Sequence, residues 1–299
     1  MDLKINSTTP LSGSHGINDK IMKKSFAKKL INYRKRIHSQ TIEDGIIEGI
    51  FDNIGTTNKY FIEFGAWDGI HFSNTANLRI NEGWKGLLLE GNEVRANKYD
   101  YVEHAFITAE NINTLFDKHK VPKEYDLLSI DLDGNDFWVW KAIDESKFKA
   151  RVIVVEYNSN FPNQLESKAI KYDANLLSTN PSVNYYGATI PAFKKLGELK
   201  GYSLIYRVNN HNLFFVRTDL LHEDDINIPL EYFLNKDGKA EKGIQSGVPD
   251  QSKNVFDYDT KLLHDVFPQS NKYPSDSPYA DTTITIFWDQ DFTKEWINI

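Results

Sequence analysis

The chain has 299 residues, 40% of them apolar and 26% charged, and a formal charge of −7. That is enough apolar material for one large core, and the negative balance argues against a general nucleic-acid binder, whose contact surface is ordinarily basic. Cysteine is absent, which removes disulfides and thiolate chemistry and fits a reducing, cytoplasmic setting, and no apolar run approaches the ~20 residues needed for stable membrane insertion.

Residues 1–18 mix Ser, Thr, Gly, Asn and Pro without a period and read as a flexible leader. Residues 19–55 read as two helices. In the first, Met22, Phe26, Leu30, Tyr33 and Ile37 recur at helical spacing, while Lys23, Lys24, Lys28, Lys29, Arg34, Lys35 and Arg36 cover the remaining surface. This basic amphipathic pattern predicts a helix packed on the domain with a solvated face; contact with an anionic surface or substrate is the alternative. Thr41 is a good N-cap for the second helix, with Glu43 and Asp44 in its first turn, a stripe of Ile42, Ile46, Ile47, Ile50 and Phe51, and Gly55 as its stop.

From 56 to 218 short apolar runs alternate with helix-like stretches, which predicts a doubly wound α/β core. Strands are expected at Tyr60–Phe64, Gly86–Glu90, Ala105–Ala109, Asp126–Asp131 and Val152–Tyr157. Continuous apolar character, rather than alternation, marks strands covered on both faces, as in a parallel sheet. Right-handed crossovers then place every strand's C-terminal end on one edge, where ligands of such sheets bind. Pro191 and Gly201 bracket a later helix, and the strands Tyr202–Val208 and Leu213–Arg217 are close enough to form a hairpin, so the last runs antiparallel. Residues 219–299 loosen into a polar appendage with one late β-like run, Thr282–Trp288, expected to enclose substrate or to join subunits of a homo-oligomer.

Acids punctuate the shared edge. Glu63 ends the first strand and leads into Gly65-Ala-Trp-Asp-Gly69, where Gly65, Asp68 and Gly69 shape a loop that brings backbone amides close to a ligand. His71, Ser73 and Asn74 follow, as ligand contacts or as caps of the next helix, with His71 a candidate base. Glu90, after Leu87-Leu-Leu89, is placed to accept hydrogen bonds from ribose hydroxyls with help from Asn92, while Asn111 and Ile112 are expected either to border an adenine or simply to open a helix. Together these strand ends suggest an adenosine-containing cofactor. Asp131, Asp133 and Asp136 crowd one loop; like charges so close raise one another's pKa unless they share a proton or a cation. They are candidate catalytic groups, and Asp131, Glu156 and Asn158 are an oxygen ligand set suited to Mg²⁺, Mn²⁺ or Ca²⁺, with a metal-free loop as the alternative.

The segments Glu63-Phe-Gly-Ala-Trp-Asp-Gly69, Leu89-Glu-Gly-Asn92, Asp126-Leu-Leu-Ser-Ile-Asp-Leu-Asp-Gly-Asn-Asp136 and Val154-Val-Glu-Tyr-Asn158 resemble the ordered motifs of the FkbM-type S-adenosylmethionine-dependent methyltransferases. The likeness runs from about Tyr60 to Arg217. It implies a Rossmann-like seven-stranded sheet with one reversed strand, S-adenosyl-L-methionine as cofactor, and methyl transfer to a hydroxyl of a sugar, such as a nucleotide-activated sugar or glycan precursor. Related sugar methyltransferases hold a metal at the corresponding strand ends with paired aspartates where this chain has Glu156-Tyr-Asn158. Two other readings use the same sheet: an NAD(P)-dependent oxidoreductase, which needs a G-x-G-x-x-G loop that Gly65–Gly69 does not match, and a non-catalytic binding protein.

Overall fold

The computed structural model describes residues 24–161, 165–176, 186–208, 211–234 and 296–299. The leader and the run Thr282–Trp288 lie outside them. In chain order the elements are α1 (Glu43–Ile54), β1 (Tyr60–Phe64), α2 (Ala76–Asn81), β2 (Lys85–Glu90), α3 (Glu93–Ala96), β3 (Glu103–His104), α4 (Ile112–Lys118), β4 (Glu124–Ile130), α5 (Asp136–Ala142) and β5 (Lys149–Glu156). There follow β6 (Lys168–Ile170), α6 (Ile190–Lys200), β7 (Tyr202–Arg207), β8 (Asn212–Arg217), α7 (Glu223–Ile226) and β9 (Trp296–Asn298).

The main sheet has seven strands in the order β3-β2-β1-β4-β5-β8-β7. Pairing is parallel from β3 through β5, and β8 runs antiparallel to both β5 and β7, which makes it the single reversed strand. This is the sheet the sequence predicts. β1 and β4 sit at its centre, and Phe61, Ile62, Phe64, Leu127, Leu128 and Ile130 are buried there, as strands covered on both faces require. Chain order reverses between β1 and β4, so their C-terminal ends form the switch point at which such sheets bind ligands. No described helix is long and apolar enough to cross a membrane.

The expected basic helix is a correction. Its described part is one short 3-10 segment, Ala27–Tyr33, which ends at an extended Arg34. Two buried acids account for this. Asp225 takes the amides of Phe26 and Ala27, and Asp44 takes those of Ile37, His38 and Ser39. A continuous helix would turn those amides into its own i−4 bonds. Phe26, Ala27 and Leu30 are nonetheless buried, so the spacing of Phe26 and Leu30 does mark a core face. Likewise α1 is capped at Ile42 rather than Thr41, whose amide and hydroxyl both bond to the Glu43 carboxylate. Gly55 ends α1 as expected, and Gly201 ends α6 in the left-handed conformation.

β3 is also earlier and shorter than the run Ala105–Ala109. The Asn111 side chain accepts from the Thr108 amide and donates to the Phe106 carbonyl, which closes those residues into a loop instead of a ladder. One pairing was not anticipated: β6 and β9 form a separate two-stranded antiparallel sheet, so the last residues of the chain bind the segment between β5 and α6. The hairpin strands β7 and β8 stand where expected, although Asn209 and Asn210 of their connection lie outside the described residues.

Candidate functional site at the carboxyl edge of the sheet

Glu63 is the hub of the β1–α2 loop. Its buried carboxylate accepts from the Ser73 hydroxyl at 2.6 Å, the Asn74 amide at 2.8 Å and the Thr75 hydroxyl at 2.6 Å. Burial pushes its pKa up while these donors pull it down. Ser73 in turn accepts from the Thr75 and Ala76 amides, and the Asn74 side chain donates to the Ser129 hydroxyl on β4. Glu63 therefore binds both Ser73 and Asn74, and Ser73 holds two amides at the entry to α2, whose N-cap is Thr75. Gly65 has φ +65°, and a Cβ there would lie 1.9 Å from the Asp131 carbonyl oxygen. The tips of β1 and β4 can approach so closely only without a side chain.

Further along the loop, buried Asp68 accepts from the Ile70 and His71 amides and lies 2.5 Å from His71 Nδ1. The His71 pKa is raised, first by that hydrogen bond, and the Asp68 pKa is lowered: burial alone would raise it, but its bonds to His71 and the loop amides outweigh that effect. The Gly69 carbonyl accepts from Arg79, whose guanidinium lies over the Tyr101 ring. The Asp68–His71 pair stabilises the fold above the Asp68 unfolded value of 3.8 and loses its contribution as pH rises from 6.5 through the higher folded value of His71. His71→Ala should therefore lower the melting midpoint more at about pH 6 than at about pH 9. A difference independent of pH across that range would remove the ion pair from the stability of this loop.

At the end of β2, Glu90 is buried and its two carboxylate oxygens accept one amide each, from Trp67 and from Asn92, both at 2.8 Å. An ionised carboxylate has about four acceptor positions, so each oxygen keeps capacity for a hydroxyl. Asn92 caps α3 through its side chain. The next loop corrects the adenine expectation. Ile112 has no exposed surface and belongs to the apolar core, and Asn111 spends its amide group on Thr108 and Phe106. Phe106 is the residue that faces outward there: it is 38% exposed and packs beside Gly91, immediately after Glu90. Its place inside an apparent strand concealed it from the sequence.

The acids on the β4 side divide into two kinds. Asp136 is fully buried, and it accepts from the Leu132 and Gly134 amides. Burial pushes its pKa up to about 6 against those bonds. It shapes the loop and has no exposed surface, so its candidacy as a catalytic group is corrected to a structural one. Asp131, Asp133 and Glu156, by contrast, each present a carboxylate oxygen within 4.8 Å of the others. The Asp131 and Glu156 carboxyls are held well above the usual range, first by loss of water and then by neighbouring acids. Glu156 Oε2 is buried without a hydrogen-bond partner among the described residues. Asp133, at φ +53°, is the exposed residue of the three, and its carboxyl is pushed up, first by loss of water, with the Arg95 charge opposing and the Glu90 charge adding. Asn158 stands apart from this group: its side-chain oxygen accepts the Asn160 and Phe161 amides and its nitrogen donates to the Tyr186 carbonyl. Asp133 is the third carboxylate beside Asp131 and Glu156.

No known family profile matches the chain. A curated relative, the phenylalanine–tRNA ligase beta subunit of Clostridium tetani, is 25% identical over 183 residues, 60% of this chain, and the match spans only 21% of that protein's length. Among solved structures, the chain is similar to the CurJ carbon methyltransferase (TM-score 0.38, 10% identity, 65% of this chain and 58% of that one). It is also similar to an O-methyltransferase from Bacillus cereus solved in complex with SAH (TM-score 0.35, 17% identity, 66% and 91%). At such scores these likenesses carry no argument about activity; the strand order in the sheet defines the fold.

Proposed function

We propose that the chain is an S-adenosylmethionine-dependent O-methyltransferase of the FkbM type that acts on a sugar hydroxyl, with a nucleotide-activated sugar or glycan precursor as acceptor. The observation that carries this reading is the adjacency of two chemistries at one sheet edge. Glu90 offers hydroxyl acceptors at the β2 end and the acid trio lies across the β4 and β5 ends of the same edge, where the charges of Arg95 and Glu90 act in opposite directions on the Asp133 carboxyl. A cofactor held at Glu90 would lie on the same sheet edge as carboxylates that can take a proton.

When bound, the sulfonium supplies a methyl group already activated for in-line attack, so the protein contributes mainly alignment and proton removal. Asp133, exposed and adjoining both regions, is the carboxylate that accepts the acceptor's hydroxyl proton. Asp131 and Glu156 orient that hydroxyl. Glu63, Ser73 and Asn74 fix the loop whose Trp67 amide holds Glu90. The all-oxygen donor set and the unpartnered Glu156 Oε2 fit a divalent cation, which Asp131, Asp133 and Glu156 would hold. Such an ion lowers the pKa of a hydroxyl it binds.

Calorimetry with S-adenosylmethionine, S-adenosylhomocysteine and NAD tests the cofactor. Saturable binding of NAD alone would transfer the chain to the oxidoreductase reading, and binding of none to the non-catalytic one. Glu90→Ala should weaken affinity for the sulfur compounds by about 1–3 kcal/mol through lost charged hydrogen bonds, and unchanged affinity would remove Glu90 from the pocket. A mass-spectrometric screen of activated sugars for a gain of one methylene tests the acceptor. Activity surviving EDTA, with no metal by elemental analysis, selects the metal-free scheme.

A further inference from the structure

The described residues between β5 and α6 touch both halves of the site. At the acid loop, the Asn135 side chain donates to the Asp173 carbonyl at 2.7 Å, the Gly187 amide donates to the Gly134 carbonyl at 2.8 Å, and Leu176 packs on Gly134. Trp138 on α5 donates to the Ile170 carbonyl at 2.8 Å and packs on the Tyr172 ring, with ring centroids 6.2 Å apart. Beyond Trp138, the Tyr172 hydroxyl accepts the Ala109 amide at 3.2 Å and donates to the Glu110 carboxylate. One residue thus links the acid side to the β3–α4 loop.

Within that loop the Asn111 and Thr108 side chains bond to the backbone, the Ala105 amide donates to the Glu90 carbonyl, and Phe106 lies beside Gly91 and Glu90. We infer that Tyr172 is a positioning residue for the cofactor: its hydroxyl pins the Ala109–Glu110 turn so that Phe106 stays beside Glu90 as a flat face for a purine ring. The inference rests on the methyltransferase reading for the identity of the ligand, and on the hydrogen bonds alone for the pin. The Glu110 pKa is lowered by the same hydroxyl, as a charged acceptor requires. Phe106 supplies the stacking surface and Glu90 the hydroxyl acceptors, so loosening the turn acts on cofactor affinity and leaves the acid trio in place.

Tyr172→Phe keeps the ring against Trp138 and deletes both hydrogen bonds. Its dissociation constant for S-adenosylhomocysteine should rise about 5- to 20-fold, with turnover at saturating cofactor within about twofold of wild type. Amide hydrogen exchange at Ala109 and Glu110 should speed up while exchange in β4 is unchanged. Glu110→Gln, which retains an acceptor, should bind within about twofold of wild type, and Glu110→Ala, a surface change that leaves the core untouched, should weaken binding in the same direction as Tyr172→Phe. Wild-type affinity in Tyr172→Phe, or a fall in turnover with affinity intact, overturns the inference while leaving the methyltransferase reading in place. Failure of the wild-type protein to bind any sulfur cofactor overturns both.

Discussion

Asp131→Asn should cut turnover by about 10²–10⁴-fold while leaving the protein at least as stable as wild type at neutral pH. The two signs are opposite because one property causes both. The Asp131 carboxyl is held well above its usual range by burial, Asp133, Asp136 and Glu63. Each carboxylate in such a group binds protons more tightly when folded, so stability falls as pH rises from the ordinary value of 3.8 toward the raised folded values. A neutral isostere removes the repulsion and keeps an oxygen for the Asp133 amide, whose hydrogen bond lowers the Asp131 pKa. What it loses is the negative charge that orients an acceptor hydroxyl beside Asp133. Denaturant midpoints and turnover measured on the same preparations decide the matter. A variant destabilised by more than about 1 kcal/mol, or one with wild-type turnover, contradicts the role given to this residue.

Gly65→Ala should destabilise the fold by about 2–4 kcal/mol and abolish cofactor binding. Two costs coincide. The residue has φ +65°, which a side chain tolerates poorly, and the new Cβ would stand 1.9 Å from the backbone oxygen of Asp131. A flexible side chain can move aside, but that oxygen belongs to the tip of β4, whose strand is paired on both sides. Relief requires β1 and β4 to separate at the point where the proposed ligand lies. Urea denaturation reads the first effect and calorimetry with S-adenosylhomocysteine the second. An alanine variant with an unchanged midpoint would show that the strand tips do not meet as described.

Much of the scaffold was legible locally. β1 is as expected, β2, β4, β5, β7 and β8 fall within a few residues of their predicted bounds, and the reversed strand follows from the short link between the last two. Failures came where a side chain from elsewhere claimed the backbone. Asp44 and Asp225 broke up an apparent helix, and Asn111 folded an apparent strand into a loop. At the sheet edge, Asp131, Asp133, Asp136, Glu156 and Asn158 looked alike in the sequence as oxygen-bearing side chains. Their hydrogen bonds separate them: Asp136 and Asn158 are committed to loop amides, whereas Asp131, Asp133 and Glu156 face one another.

By itself the sequence determined the alternation of buried strands and helices, and hence that acids at strand ends would share one edge, because apolar periodicity and chain connectivity are local properties read residue by residue. Tertiary structure alone decided which of those acids are committed to loop amides and which face one another, and it brought Phe106 beside Gly91 and Tyr172 to Ala109. A carboxylate's availability depends on donors brought to it through space. Asn74 reaches Ser129 across 55 positions of sequence and Tyr172 reaches Ala109 across 63, and no pattern along the chain records either meeting.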